Sequence, residues 1–222
     1  MYAWAVESLP LATAARLIFV LRESQPEFRE LRGDIETRYR AFSPEIVTVA
    51  ELTRGQAETC LAAAPLLRAD EPLCIHNADT AFDADPQWHL EALADGCDGA
   101  LLVFESGELR WSYSREDEAG WVVEVQEKRV ISRWASCGTY WFRRAADFLE
   151  LAEAALEEHR SGEAYVAPLY NRLIAGGARI RNYRIRRLYC FGTPDDLAEA
   201  APRLQEARAT ASPPDVPSVA RR

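Results

Sequence analysis

The chain has 222 residues, of which 48% are hydrophobic and 27% are charged, a composition typical of a soluble globular protein. Its formal net charge is −9, and its arginines are scattered along the sequence, which argues against a nucleic-acid-binding surface. Residues 1–21 contain Glu7, Pro10 and Arg16 and so have neither a leader pattern nor an apolar span of about 18 residues. We therefore expect a cytoplasmic protein with no membrane partner.

The number and placement of the cysteines also favour a cytoplasmic protein. There are five of them, an odd number, with no CxxC pair, and most lie inside apolar runs. Reduced core residues are the simplest interpretation.

The first third of the chain alternates predicted helices and strands. Helical apolar spacing covers residues 2–9, and continuous apolar runs of the buried-strand type cover 17–21 and 46–49. The remaining predictions are helices at 25–40 and at 56–67, the latter bent at Pro65, and a strand at 73–75. Such alternation predicts a Rossmann-like α/β fold, with a mixed, mostly parallel sheet flanked by helices.

The pattern changes beyond Asp79. We predict a helix at 87–94, and four extended runs joined by brief turns suggest antiparallel hairpins. These runs are 99–105, 109–114, 121–126 and 136–142. Helices follow at 144–160 and 168–175, then a strand at 179–187 and a helix that starts at Thr193-Pro194. We expect one domain over residues 1–208 and a disordered tail over 209–222.

Carboxylates cluster directly after the predicted strand at 73–75. Asp79 would stand at the carboxyl end of that strand, where open α/β sheets bind ligands. A carboxylate there suits Mg²⁺, which takes oxygen ligands and keeps waters and substrate phosphates around it. The alternative is that Asn77, Asp79 and Thr80 simply form a turn.

Two further groups of residues have the chemistry of a binding site. Gly55 would let the backbone approach a ligand, and Gln56 can pair with a nucleobase edge, although a helix cap explains both equally well. Glu127 can accept hydrogen bonds from a sugar, while Lys128 offers a cation for a phosphate; an exposed ion pair is the alternative. Gly138, inside a β-prone run, indicates a close approach of a ligand or a bulge.

The order of these motifs carries more information than any one of them. The successive segments are Gly-Gln-Ala-Glu-Thr at 55–59, Asn-Ala-Asp-Thr at 77–80, Glu-Lys at 127–128, Ala-Ser-Cys-Gly-Thr-Tyr-Trp-Phe at 135–142, Tyr-Asn-Arg-Leu-Ile at 170–174 and Gly-Thr-Pro-Asp-Asp-Leu at 192–197. Together they resemble the sugar-phosphate nucleotidyltransferase family over roughly residues 1 to 205, and especially its members from capsule and surface-polysaccharide gene sets.

The resemblance implies a reaction. A nucleoside triphosphate bound with Mg²⁺ is attacked at its α-phosphate by a sugar phosphate or similar acceptor, and pyrophosphate is released. It implies nucleotide contacts from Gly55, Gln56 and Asn77, and acceptor contacts from Glu127, Lys128 and Gly138. Asp79 would hold the metal, and Asp79 with Lys128 would be catalytic. A homo-oligomer is compatible with this pattern.

The sequence departs from the family in two places. The family opens with a strand, a glycine-rich loop containing an arginine, and a Lys-Pro segment, and this sequence shows none of them. A start codon assigned too late is our preferred interpretation, and a decayed gene is the alternative. The second metal carboxylate of many relatives corresponds here to Cys190, which does not suit Mg²⁺. Without the first strand, its two neighbours must stay unpaired or pair directly with each other.

Two other functions and one other metal site are the alternatives. A non-catalytic relative would bind a nucleotide or sugar without turnover. A nucleotide-sugar glycosyltransferase would use Asp83 and Asp85 as a metal-binding pair, although Pro86 and the distance from the strand disfavour it. A zinc site from His76, Asp79 and His89 matches no common ligand spacing.

Overall fold

The computed structural model describes residues 1–158 and 162–210. His159, at the end of a predicted helix, and residues 211–222 of the predicted tail lie outside these ranges. The first elements are α1 Tyr2–Glu7, β1 Ile18–Arg22, α2 Phe28–Arg38, β2 Glu45–Val49, α3 Gln56–Leu61 and β3 Leu73–His76. The predicted helix at 56–67 ends at Leu61, and a single 3₁₀ turn at Ala64–Leu66 follows. Pro65 explains this ending because it cannot donate the next helical hydrogen bond.

The second part of the chain is richer in strands than in helices. Its elements are β4 Thr80–Asp83, α4 Trp88–Ala94, β5 Gly99–Glu105, β6 Ser112–Glu116, β7 Val122–Glu127, β8 Trp134–Phe142, α5 Ala145–Glu158, α6 Tyr170–Ala175, β9 Ile180–Arg184, β10 Arg187–Cys190 and α7 Pro194–Thr210. One sequence prediction was wrong here: the predicted strand at 179–187 is two strands that belong to different sheets. The strand β4 was not predicted, and Thr80 begins it instead of lying in the turn that was the alternative for Asn77, Asp79 and Thr80.

The main sheet has six strands, and β8 is its centre. The order is β7-β6-β8-β5-β9, and β3 also pairs with β8. β3 pairs with the Thr139–Phe142 end of β8, whereas β6 pairs with Trp134 and Ala135 at the other end. Gly138 lies between these two pairings. The sheet therefore opens beside Gly138, and the turn after β3 lies at that opening.

The mixed α/β class with helices on both sides of a central sheet is confirmed. The share of parallel pairing is lower than expected: in the described part of the chain, β1 with β2 and β5 with β9 are parallel, while the other five pairings are antiparallel. The reason is that β8 runs antiparallel to each of its partners, and such long-range pairing leaves little trace in local sequence.

A groove separates the main sheet from the parallel pair β1–β2. Within the described ranges, β1 pairs only with β2, and β3 pairs only with β8. The groove is lined by residues 17–21 of the first strand and 73–77 of the third, and its volume is about 860 Å³. A strand residue takes up about 160 Å³, from its rise, its strand spacing and the thickness of a packed sheet. The groove therefore has room for one strand of about five residues. Of the two arrangements expected without a first strand, the described residues show the one in which β1 and β3 do not pair with each other.

The cysteines are free, as expected, but one of them is not a core residue. Cys97 and Cys137 are buried, whereas Cys74 of β3 is exposed and lines the groove.

The main core lies between the six-stranded sheet and the helices α3, α5 and α6. Phe148 of α5 is fully buried there and packs against the ring of Phe142 at 5.5 Å between centroids. A smaller cluster around Trp88 and Trp141 covers the opposite face of the sheet. None of the described helices is long and apolar enough to cross a membrane.

Replacing Phe148 with alanine is expected to lower the free energy of unfolding by about 3 to 5 kcal/mol, since a large buried ring leaves a cavity. Leu90→Ala on α4 is the matched control, because Leu90 is 45% exposed and should change stability by less than about 0.5 kcal/mol. Urea denaturation followed by circular dichroism measures both. Equal effects of the two substitutions would contradict the assignment of this core.

Candidate active site

The turn after β3 brings together four of the predicted site residues. The amide nitrogen of the Gln56 side chain donates to the side-chain oxygen of Asn77. The backbone N–H of Asn77 donates to the carbonyl of Gly138 at 3.1 Å. Asp79, two residues further on, is exposed at the rim of the sheet. Asp79 therefore does not point into the core, and it lies on the same turn that contacts Gln56.

Gly138 is needed at this position for steric reasons. Its φ is +81°, a conformation that favours glycine. A Cβ on Gly138 would overlap the side-chain amide of Asn77. The glycine thus lets Asn77 lie directly on the β8 backbone, and the close approach predicted from the sequence is made by Asn77.

Gly138→Ala is expected to destabilise the protein by about 2 to 4 kcal/mol, because it adds an overlap with Asn77 to the backbone strain. Gly120→Ala is a matched control: Gly120 has φ +83° but nothing within 4 Å of its would-be Cβ, so only strain of about 1 to 2 kcal/mol should result. Thermal unfolding measures the loss of stability in each variant, and the difference between the two losses gives the contribution of the Asn77 contact. Equal losses of stability would show that this contact is unimportant.

Gly55 begins α3 against a second backbone segment. A Cβ on Gly55 would come within 2.6 Å of the Ala164 carbonyl oxygen, and that carbonyl accepts a hydrogen bond from the N–H of Ala57 at 2.9 Å. Gly55 is therefore required by the approach of residues 163–165. Gln56, the next residue, is left free to point toward the turn after β3.

The side chain of Lys128 contacts the same segment, residues 163–165. Its ammonium group donates to the hydroxyl of Tyr165 and lies 3.4 Å from a carboxylate oxygen of Glu163. The hydrogen bond to Tyr165 raises the pKa of Lys128, so its charge is retained at neutral pH. Its φ is +53°, which non-glycine residues adopt rarely and mainly where local structure imposes it.

Glu127 lies in a less polar environment than its neighbour. Ser112 donates a hydrogen bond to its carboxylate, and burial is the main cause of a raised pKa for Glu127. A half-buried carboxylate with a further free oxygen can accept a hydroxyl group from a ligand. The predicted ion pair between Glu127 and Lys128 is not formed, because Lys128 pairs with Glu163 instead.

Asp79 also adjoins the end of β10. Its backbone carbonyl accepts a hydrogen bond from the N–H of Phe191 at 2.7 Å, and its Oδ2 lies 3.3 Å from the place that a Cβ on Gly192 would take. Cys190 and Asp196 lie near the same place, at 3.7 and 3.9 Å. The turn after β3 is thus in direct contact with the residue that follows β10.

Arg110 links this corner to the Lys128 side of the site. Its guanidinium forms two hydrogen bonds with the Asp196 carboxylate, at 3.0 and 2.9 Å. The carbonyl of the adjacent Trp111 accepts the backbone N–H of Lys128 at 3.1 Å. These contacts close a ring, which we call the site rim. Its members are Gly55, Gln56, Asn77, Asp79, Arg110, Trp111, Lys128, Gly138, Ala164, Tyr165, Cys190, Gly192 and Asp196.

Sequence reasoning missed Arg110 and Tyr165. Neither belongs to a recognisable motif, and each reaches the rim through a partner that is distant in sequence. The predicted helix start at Thr193 is formed, because the backbone N–H of Asp196 donates to the Thr193 hydroxyl at 3.1 Å. Its carboxylate is occupied by Arg110, which holds the pKa of Asp196 below its usual range.

The rim offers one carboxylate to a divalent cation. Asp79 forms no ion pair with the described residues, whereas Asp196 is bound by Arg110. The described residues contain no group of three or more His, Cys, Asp or Glu side chains arranged to hold a metal. Asp79 alone fits Mg²⁺ only where substrate phosphates and waters complete the shell, which is the usual situation for this ion.

The two other metal hypotheses find no support in the geometry. His76 bonds to the Thr139 hydroxyl and the Thr80 carbonyl, both at 2.8 Å, and burial lowers its pKa to about 4, so it is a neutral structural histidine. Asp83 is paired with Arg186, and Asp85 accepts the N–H of Gln87 at the start of α4. Neither a zinc group nor an open Asp-x-Asp pair is formed among these described side chains.

Several solved structures of other proteins share the fold of this chain. The nucleoside-diphosphate-sugar pyrophosphorylase from Vibrio cholerae RC9 superposes with a TM-score of 0.76 and 27% identity, over 89% of this chain and 85% of that one. A UDP-glucose pyrophosphorylase in complex with UDP-glucose gives a TM-score of 0.73 and 16% identity, over 92% and 86% of the two chains. The chain has the sugar-phosphate nucleotidyltransferase fold.

The resemblance inferred from the motif order is thereby confirmed. The inositol-1-phosphate CTP transferase from T. maritima also shares the nucleotidyltransferase fold, with a TM-score of 0.71 and 14% identity, over 95% of this chain and 84% of that one. At 16% and 14% identity, the UDP-glucose pyrophosphorylase and the inositol-1-phosphate CTP transferase support the fold and nothing beyond it. No protein-family model matches the chain, and no curated protein matches it.

Proposed function

We propose that this protein is a nucleotidyltransferase that transfers a nucleoside monophosphate from a triphosphate to a sugar phosphate or a similar phosphorylated acceptor. The observation that carries the proposal is the site rim. On a nucleotidyltransferase fold, one ring of contacts includes a carboxylate with no ion-pair partner among the described residues (Asp79), an amide that can pair with a base (Gln56) and a cation held by Tyr165 and Glu163 (Lys128). The activated product would serve surface-polysaccharide synthesis, and the cytoplasm, where triphosphates are made, would be its compartment.

In the proposed reaction, an oxygen of the acceptor phosphate forms a bond to the α-phosphorus. The bond from that phosphorus to the oxygen bridging to the β-phosphorus breaks, and pyrophosphate leaves with the electron pair. Both reacting groups come from the substrates, so the protein has only to align them and to neutralise charge. Mg²⁺, held by Asp79 and the phosphates, would supply part of that neutralisation.

The remaining rim residues have roles that suit this alignment. Asn77 orients the Gln56 amide, which leaves the free donor or acceptor of Gln56 for a base edge. Gly55 permits the backbone of α3 to approach the nucleotide. Lys128 would contact a phosphate of the acceptor, and Glu127 would accept a hydrogen bond from a sugar hydroxyl, with Gly138 forming the floor between them.

Ligand binding and turnover test the proposal separately. Each nucleoside triphosphate is added with Mg²⁺ while thermal unfolding is recorded; a ligand present at 100 times its Kd stabilises by about 2.7 kcal/mol, or about 5 to 10 °C here. Pyrophosphate release is then measured for the stabilising triphosphate with a panel of sugar phosphates, both for this chain and for the frame extended upstream of Met1. No stabilisation by any triphosphate and no turnover would overturn the proposal. Binding without turnover would instead support the non-catalytic relative.

A further inference from the structure

Lys128 is the only lysine of the sequence, in which lysine and arginine together number 26. It directly follows the last residue of β7, and its φ of +53° is a conformation that lysine adopts rarely. Its backbone N–H donates to the carbonyl of Trp111 at 3.1 Å, which helps to hold this conformation. Strained backbone of this kind persists where the neighbouring structure imposes it. The single lysine is therefore held at a defined point of the site rim.

Two side chains of the segment 163–165 contact the ammonium group of Lys128. The ammonium donates to the hydroxyl of Tyr165, and its nitrogen lies 4.8 Å from the centroid of that ring. A carboxylate oxygen of Glu163 lies 3.4 Å from the same nitrogen and accepts a hydrogen bond from the Tyr165 hydroxyl. Tyr165 therefore holds the Glu163 carboxylate beside the ammonium.

The backbone of the segment fixes the positions of both side chains. The N–H of Ala164 donates to the carbonyl of Arg54 at 3.0 Å, and the carbonyl of Ala164 accepts the N–H of Ala57 at 2.9 Å. An exposed ion pair is ordinarily worth little, partly because two long side chains lose freedom when they meet. Here the anchored backbone and the Tyr165 hydroxyl have already reduced the freedom of Glu163. The contact between Glu163 and Lys128 is favoured for this reason.

The Glu163 carboxylate offers Lys128 the same kind of group as a phosphate, namely anionic oxygens that accept charge-assisted hydrogen bonds. A phosphate that binds Lys128 would have to displace this carboxylate or lie beside it. Displacement breaks an existing contact, and lying beside it brings two like charges together, so both cost free energy. Glu163 is therefore placed to compete with any anionic ligand of Lys128.

We propose that the Glu163 carboxylate occupies the place of the acceptor's phosphate on Lys128, held there by Tyr165 until an acceptor displaces it. The inference deepens the proposed function and rests on it for the identity of the acceptor. Glu163 lowers the affinity for every phosphate by the same factor. A sugar phosphate regains affinity through contacts of its sugar, among them a hydroxyl on Glu127, whereas a phosphate group alone does not. Inorganic phosphate is thereby kept out of the acceptor site.

The test follows Lys128 by NMR in the full chain, with lysine labelled with ¹³C and ¹⁵N. A single lysine gives a single side-chain Hε–Cε signal, so phosphate that binds to arginines elsewhere does not interfere. The probe is methyl phosphate, added without nucleotide or metal at about pH 8, where its phosphate group is fully ionised. Wild type should bind it weakly, and Glu163→Gln should bind it about fivefold more tightly. Glu163→Asp, which keeps the charge, should stay within about twofold of wild type.

Glu36→Gln is the matched control. Glu36 is 53% exposed, against 56% for Glu163, and pairs with Arg32 on α2. The substitution removes the same charge away from Lys128 and should leave the affinity unchanged. A merely structural role of Glu163 would lower the melting temperature of Glu163→Gln without raising its affinity for methyl phosphate.

The outcomes separate this inference from the proposed function. The inference is overturned if the Lys128 signal does not respond to methyl phosphate, if neither Glu163→Gln nor Glu163→Ala gains affinity, or if Glu36→Gln gains as much. Because the probe is added without nucleotide, these results do not depend on triphosphate binding. Failure of every triphosphate to bind would overturn the proposed function and leave the competition between Glu163 and phosphate at Lys128 standing.

Discussion

An extended apolar strand joined ahead of Met1 is expected to raise the melting temperature of this chain by about 6 to 12 °C. The physical reason is the groove between β1 and β3, whose facing edges have no strand partner among the described residues. Burying a Val or Leu side chain is worth about 2 kcal/mol, and ordering one residue costs about 1.5 kcal/mol. Five residues should then give a net gain of about 2.5 kcal/mol from burial, and their ladder hydrogen bonds should bring the gain to at least about 3 kcal/mol.

The experiment adds Val-Ile-Val-Leu-Val through a flexible Gly/Ser linker of about ten residues. The control carries the same linker and a five-residue segment with proline at alternate positions, which cannot complete a ladder. Thermal unfolding gives the main result. Alkylation of Cys74, which is exposed and lines the groove, should also slow when the strand is bound. If both extensions melt at the temperature of the unmodified chain, the groove does not accept a strand.

Asp79→Asn is expected to reduce pyrophosphate release by about 10³-fold, because it removes the charge that holds the metal at the transferring phosphate while keeping the shape of the side chain. Stability should hardly change, since Asp79 is exposed and its backbone carbonyl, which accepts from Phe191, is untouched. Initial rates with the triphosphate that binds best, together with the melting temperature, measure both effects.

Asp85→Asn is the matched control for this substitution. Asp85 is also exposed and lies six residues further along the chain, where its carboxylate accepts the backbone N–H of Gln87 just before α4. Asparagine keeps an oxygen that can accept this hydrogen bond, so Asp85→Asn should change stability by less than about 0.5 kcal/mol and leave the rate within about twofold of wild type. Release of a nucleoside diphosphate from a nucleotide sugar that is lost in Asp85→Asn would favour the Asp-x-Asp glycosyltransferase instead. Equal, small losses in both would remove Asp79 from the reaction.

The local elements could be predicted from the sequence where an apolar pattern determines them. The strand at 17–21 and the amphipathic helix at 144–160 correspond to β1 and α5, each with bounds shifted by one or two residues. β4 was missed because its four residues end in a carboxylate and resemble a turn. β9 and β10 were merged because Ile185 and Arg186, which change sheets, continue the same alternation. The antiparallel surroundings of β8 depend on contacts between distant segments, and no local pattern encodes them.

The site could be predicted only in part, for a similar reason. Asp79 and Gln56 lie in recognisable short segments, so motif order was enough to single them out. Arg110 reaches Asp196 across 86 residues, and Tyr165 reaches Lys128 across 37. Such pairs are created by the fold, and a single sequence gives no signal that they meet.

The separation of β1 and β2 from the main sheet has a consequence for how the molecule opens. These strands and α2 have their own small apolar cluster, with Val6, Leu21, Ile35 and Tyr39 as its buried members, and share no ladder with the strands around β8 in the described ranges. A unit held mainly by its own contacts can detach without global unfolding. Amide protons of β1, β2 and α2 should therefore exchange with deuterium well before those of β5 and β8. The exchange would occur through a sub-global opening that leaves the rest of the protein native.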